Sequence, residues 1–75
     1  MTLTPLQLRF GNGIAVLELP SVTTQAFLTH ARIKSSAAAL RPLKLFESDL
    51  NVIEKRDGRY RFYNPFVAEW FRSRF

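Results

Sequence analysis

The side chains in this sequence that can do chemistry are almost all cations. Lys55, Arg56, Arg59 and Arg61 surround an Asp57-Gly58 pair, and Arg32, Lys34, Arg41 and Lys44 stand upstream of them. Groups of this kind bind phosphates, Arg as a planar bidentate fork and Lys as a point charge. The chain has 11 Lys and Arg against 6 Asp and Glu, a net charge of +5. Residues 1–30 contain one basic residue, Arg9, and one acidic residue, Glu18; residues 31–75 contain the other ten basic residues and five acidic ones. Positive charge gathered into one half of a chain is the footprint of a polyanion-binding surface. A solvated basic face that keeps a small protein soluble has the same composition.

Other chemistries are poorly supplied. The chain has no Cys, which removes both a disulfide framework and a thiolate metal site. Its one histidine, His30, has no Ser or Cys nucleophile with an orienting acid near it in sequence, and reads as a surface or capping residue. Glu47 and Asp49 do not share a helix face, and with Glu54 and Asp57 they read as solvated charges or ion-pair partners. Ser35 and Ser36 read as helix caps. No Gly-x-x-x-x-Gly-Lys-Ser/Thr loop is present to cradle a triphosphate. We therefore expect neither enzymatic activity nor a cofactor. No apolar run approaches the ~20 residues that cross a bilayer, and the N-terminus lacks a basic segment followed by an apolar one. The expectation is a cytoplasmic protein with no membrane partner.

These cations need a scaffold, and 75 residues provide one small domain, 1–75. A chain of this length buries only about 60% of its unfolded surface. A hydrophobic share of 47% with seven Phe is nevertheless enough for a globular core. Thr4-Pro5-Leu6-Gln7 is a capping-box sequence, with Leu6, Phe10, Ile14 and Leu17 at helical spacing behind it. Against a helix, Gly11-Asn12-Gly13 between Leu6, Leu8, Phe10 and Ile14, Val16 reads as a turn between two strands. Each interior Gly costs a helix about 1 kcal/mol, so local rules lean to the hairpin. Pro20 closes this segment.

Thr23 or Thr24 can cap a short helix whose apolar face is Phe27, Leu28 and Ala31. Arg32-Ile33-Lys34 is then a turn with one apolar plug. Ser35 or Ser36 opens a second helix whose buried stripe is Leu40, Leu43, Phe46 and Leu50. Pro42 is an anomaly there, worth about 3 kcal/mol in a true helix interior; a start near Ala38 or Ala39 would place it close to the first turn. Two short strands follow on either side of Asp57-Gly58, a tight-turn pair. Their alternation sends Tyr60 and Phe62 to the core and Arg59, Arg61 and Tyr63 to solvent. Asn64-Pro65 then starts a last helix. Phe66 and Trp70 are expected to pack in the core, leaving Phe71 and Phe75 as candidates for an exposed patch.

Two helices joined by a turn and followed by a basic ribbon form a winged helix-turn-helix. The chain also resembles the C-terminal winged-helix domain of archaeal- and bacterial-type AAA+ ATPases. The resemblance rests on Leu3-Thr4-Pro5-Leu6-Gln7, on Ser35-Ser36, and on Gly58-Arg59-Tyr60-Arg61-Phe62-Tyr63-Asn64-Pro65-Phe66-Val67-Ala68-Glu69-Trp70. It departs from that pattern at Gly11, Gly13, Pro42 and Val67, where larger helix formers or an aromatic are usual. The resemblance implies a helix over residues 6–17, and either a domain of a larger ATPase or a stand-alone relative.

The expectation is thus a mainly α fold with a small β-hairpin (α+β). Helices are placed over about 4–18, 24–31, 36–49 and 65–72, and wing strands over about 52–56 and 59–63. Function is expected to be duplex DNA binding by Arg32, Lys34, Arg41, Lys44, Lys55, Arg56, Arg59 and Arg61. The alternative is a protein-interaction, regulatory or oligomerisation module, docking on an ATPase core or on itself. It is suggested by the glycines and proline in the DNA-reading elements and by the aromatic C-terminus.

Overall fold

The structure, a computed structural model, describes residues 3–74. It is mainly helical, with one two-stranded antiparallel sheet. The order is α1 (Pro5–Leu17), α2 (Gln25–Ala31), α3 (Ser36–Lys44), a π-helical turn (Leu45–Asp49), β1 (Ile53–Arg56), β2 (Arg59–Phe62) and α4 (Pro65–Arg72). No helix among the described residues is long and apolar enough to cross a membrane. Phe75, expected in an exposed patch, lies outside the described residues.

Each helix begins where its cap is written. The Thr4 hydroxyl accepts from the Gln7 amide at 3.1 Å, and the Gln7 side chain accepts from the Thr4 amide at 2.9 Å, closing the capping box. Thr24, Ser35 and Asn64 cap α2, α3 and α4 by accepting from Phe27, Ala38 and Phe66 amides. The hairpin turns on Asp57 and Gly58 with φ of 54° and 77°, the positive pair a tight primed turn requires.

Residues 6–17 are helical despite two interior glycines, and the reason is tertiary. A Cβ on Gly11 would stand 2.3 Å from Phe71 Cε1, and one on Gly13 would stand 2.8 Å from Phe27 Cε2. Two bare helix positions let α4 and α2 press aromatic rings against the α1 backbone. Asn12 between them is buried and bonded at both ends of its amide: its Nδ2 donates to the Phe71 carbonyl at 3.1 Å, and its Oδ1 meets His30 Nε2 at 2.8 Å. Because the amide nitrogen is donating, Oδ1 accepts, and His30 carries its proton on Nε2. Gly-Asn-Gly is therefore the joint at which α1 receives α2 and α4.

The core follows from these contacts. Phe10, Phe27, Phe46 and Ile14 fill its centre, with Ile53 and Phe62 of the hairpin and Phe71 of α4. Phe10 meets Phe27 and Phe46 edge-on at 5.3 and 5.4 Å, while Phe71 stacks on Phe62 at 5.1 Å and 12°. Ile33 is buried in the turn between α2 and α3, the plug that its sequence position suggests.

Three expectations are overturned. Residues 36–49 are not one α-helix: α3 ends at Lys44 and a π turn follows, in which the Leu50 amide reaches back to the Leu45 carbonyl at 2.8 Å. The helix does start at Ser36, behind the Ser35 cap, so Pro42 stands in its second turn and deprives the Ala38 carbonyl of its helix donor. The buried stripe also differs: Phe46 is inside and Leu43 packs against the core as expected, but Ala39 and Pro42 are buried beside them while Leu40 is 52% exposed. Finally, Phe66 and Trp70 do not seal the core. Phe66 is 83% exposed and Trp70 41%, and Phe71 is the buried ring at 5%. Val67 and Ala68 flank Phe71 on the inner face of α4, where the Gly11 notch receives the ring.

Candidate nucleic-acid interface

The eight cations named from the sequence are all exposed, but they fall into separate groups. Arg32 caps the end of α2 in the left-handed region (φ 56°, ψ 48°), and Lys34 follows in the turn before α3. On α3, Ala39 and Pro42 point inward. At 100° per residue the opposite side carries Ala37, Leu40, Arg41 and Lys44, all exposed. That face has small and apolar side chains between two cations, and no carboxylate. None of Arg32, Lys34, Arg41 or Lys44 is in an ion pair among the described residues.

The hairpin divides its cations between two faces. Its register pairs Ile53 with Phe62, Glu54 with Arg61, Lys55 with Tyr60 and Arg56 with Arg59. Strand side chains alternate, so Lys55 shares a face with Tyr60, Ile53 and Phe62. Its ammonium lies 5.5 Å from the Tyr60 ring centroid. Burial first, and the Glu47 carboxylate second, raise the Tyr60 phenol above its ordinary value of 10.0. Arg56, Arg59, Arg61 and Glu54 form the other face. Directly opposed like charges such as Arg56 and Arg59 destabilise a ribbon unless an anion lies over them. Arg56 approaches Glu54 at 3.9 Å and Arg61 approaches Glu18 at 3.8 Å, both at the outer limit of an ion pair. Arg59 has no ion pair among the described residues.

A cleft of about 360 Å³ lies beside this arginine face, bounded by the end of α1 and by α4. Arg56, Arg61 and Arg72 line it together with Glu18 and Glu54. Arg72 was not among the cations named from the sequence. It is bonded to Glu69 at 2.6 Å and to the Ala15 carbonyl at 3.4 Å, so it serves structure first. Leu40 was also missed; the signal available was Pro42, whose apolar ring marks the inner side two positions away.

One backbone bond has no sequence signal. The Tyr60 amide donates to the Leu19 carbonyl at 3.0 Å, so the segment between α1 and α2 lies along the outer edge of β2. It ties the hairpin to the connector that leads into α2 and fixes the ribbon relative to the helix pair. Among the described residues no group of His, Cys, Asp or Glu is arranged to hold a metal ion. No protein-family model, curated protein or solved structure matches the chain.

Proposed function

We propose that this chain is a winged-helix DNA-binding domain that places α3 in the major groove of a duplex and lays the hairpin along the adjacent backbone. The observation that carries the proposal is the outward face of α3. It presents Arg41 and Lys44 among Ala37 and Leu40, with no acidic residue and no ion pair. An α-helix with such a face fits a major groove, where Arg reads guanine edges and small apolar groups meet thymine methyls. Arg32, Lys34 and Arg59 supply phosphate contacts that fix the register. The element order supports the same reading: a helix pair, a ribbon directly after it, and the Leu19–Tyr60 bond joining them. The glycines that suggested a compromised helix have a packing role instead, and Pro42 faces inward, away from the reading surface.

We further propose, on the Gly58–Trp70 signature, that the domain is the C-terminal module of a cytoplasmic AAA+ ATPase. A reading frame that runs upstream into a nucleotide-binding domain would support this, and an isolated frame would count against it.

The test is binding to labelled duplex DNA by fluorescence anisotropy at several salt concentrations. Each phosphate neutralised contributes about 0.9 to the slope of log K against log salt. Arg41→Ala with Lys44→Ala is expected to weaken binding and to lower the slope by up to about 2. If affinity and slope both stay unchanged, α3 is not the reading element. Arg59→Ala with Arg61→Ala tests the ribbon in the same way.

A further inference from the structure

α4 carries two apolar stripes, and the fold uses only one. Val67, Ala68 and Phe71 face the core. Phe66 and Trp70, one turn apart on another side of the helix, stand 83% and 41% exposed, and Tyr63 just before the helix is 55% exposed. An aromatic surface of this kind is unusual on a small domain and marks a binding site. Its surroundings indicate the occupant. The Arg74 guanidinium lies 4.1 Å from the Trp70 ring centroid, a cation stacked on one face of that ring. Arg72 neutralises Glu69, the single acidic residue of α4, at 2.6 Å. Among the described residues the patch is therefore aromatic, has the Arg74 cation against it, and has its nearest carboxylate, Glu69, paired with Arg72. A second copy of this chain would bring the same cations and a further net charge of +5 against it. A single-stranded nucleic acid satisfies both halves of the chemistry, with phosphates for the guanidiniums and unpaired bases for the rings.

We propose that Phe66 and Trp70, with Arg74 beside them, form a stacking platform for unpaired bases of a single-stranded nucleic acid. This site is distinct from α3 and does not require that duplex binding be correct. Trp70 is the only Trp in the chain, so its fluorescence reports the site directly.

The experiment titrates the full chain with a short oligothymidine, with an abasic strand of equal length, and with duplex DNA. Oligothymidine is expected to quench Trp70 fluorescence, and the abasic strand to bind about tenfold more weakly. Phe66→Ala removes a fully projecting ring and is expected to weaken oligothymidine binding about tenfold while leaving duplex affinity unchanged. Trp70→Ala, followed by anisotropy of a labelled strand, should do the same. Trp70 also packs edge-on against Phe71 at 4.9 Å, so Phe66→Ala is the cleaner variant. Equal binding of the abasic strand would overturn the platform, as would indifference to Phe66→Ala. Concentration-dependent self-association abolished by Phe66→Ala would also overturn it, because the face would then be a protein interface. Loss of duplex binding in Arg41→Ala/Lys44→Ala bears only on α3.

Discussion

Replacing Gly11 by alanine tests whether α1 and α4 meet as described. On helix propensity alone the change should stabilise the protein by about 1 kcal/mol. The packing opposes this. The added methyl would stand 2.3, 2.4 and 2.9 Å from three carbons of the Phe71 ring, where about 3.5–4.0 Å is ordinary contact. The ring must retreat by more than about 1 Å to reach that distance. It has nowhere to go: Phe62 stacks on it at 5.1 Å, Phe46 lies at 5.5 Å and Trp70 at 4.9 Å. If α4 moved as a body instead, it would stretch the Asn12 bond to the Phe71 carbonyl. Overpacking a fixed site costs about 1–3 kcal/mol, and the tight enclosure argues for the upper end. Net of propensity, Gly11→Ala should destabilise by about 2 kcal/mol.

That is a large share of the margin of a small domain, which is on the order of 5 kcal/mol. In urea denaturation, with a slope near about 1 kcal/mol/M for so short a chain, the midpoint should fall by about 2 M. Gly13→Ala, at 2.8 Å from Phe27, should lose less. Phe71→Leu combined with Gly11→Ala should lose less than the two single changes summed, since the smaller side chain vacates the notch. A Gly11→Ala protein as stable as the parent, or more stable, would refute the close approach of α1 to α4. It would return residues 6–17 to the alternatives the local sequence offers.

Two other predictions follow from single side chains. Arg32 holds a left-handed conformation at φ 56° without glycine's freedom, so Arg32→Gly should raise stability by about 0.5–1 kcal/mol in urea melts while weakening duplex affinity; a loss of stability would refute the cap geometry. The Tyr60 phenol titrates above its ordinary value when folded, so it contributes stability below about pH 10 that is lost as pH rises through the folded value; urea midpoints from about pH 8 to 11 should fall less steeply for Tyr60→Phe, and equal slopes would refute this role.

Features that depend on nearest neighbours along the chain were legible in the sequence. Thr4 with Gln7, Thr24, Ser35 and Asn64 cap their helices because a cap needs only an oxygen and an amide two or three residues on. Asp57-Gly58 turns the hairpin for an equally local reason. The alternation that sends Phe62 inward and Arg59 and Arg61 outward likewise needs no partner. What was not legible depends on distant contacts. Nothing near Gly11-Asn12-Gly13 says that Phe71 will occupy the notch, so the same residues read as a turn. Lys55 looked equivalent to Arg56, Arg59 and Arg61 until the register placed it over Tyr60 on the opposite face. Pro42 marked α3 as irregular, yet the α-helix runs past it to Lys44, and the π turn at Leu45–Asp49 has no local signal in the sequence.

α4 shows most sharply where periodicity stops being informative, and why that bears on function. Phe66 with Trp70 and Val67 with Phe71 are both pairs four residues apart, set about 100° from one another on the helix. Helical spacing supports either pair as the core stripe, and larger side chains favour Phe66 with Trp70. The choice is made on α1, where Gly11 opens a slot and Asn12 takes the Phe71 carbonyl. A slot one residue wide admits the edge of a ring, and Phe71 enters it while stacked on Phe62 at 12°. Once Phe71 is seated, rotation of α4 is fixed and Phe66 and Trp70 must face outward. Their exposure is thus a consequence of how the core closes. The Arg74 guanidinium against Trp70 is the physical basis for proposing that these rings meet a polyanion with stacking faces.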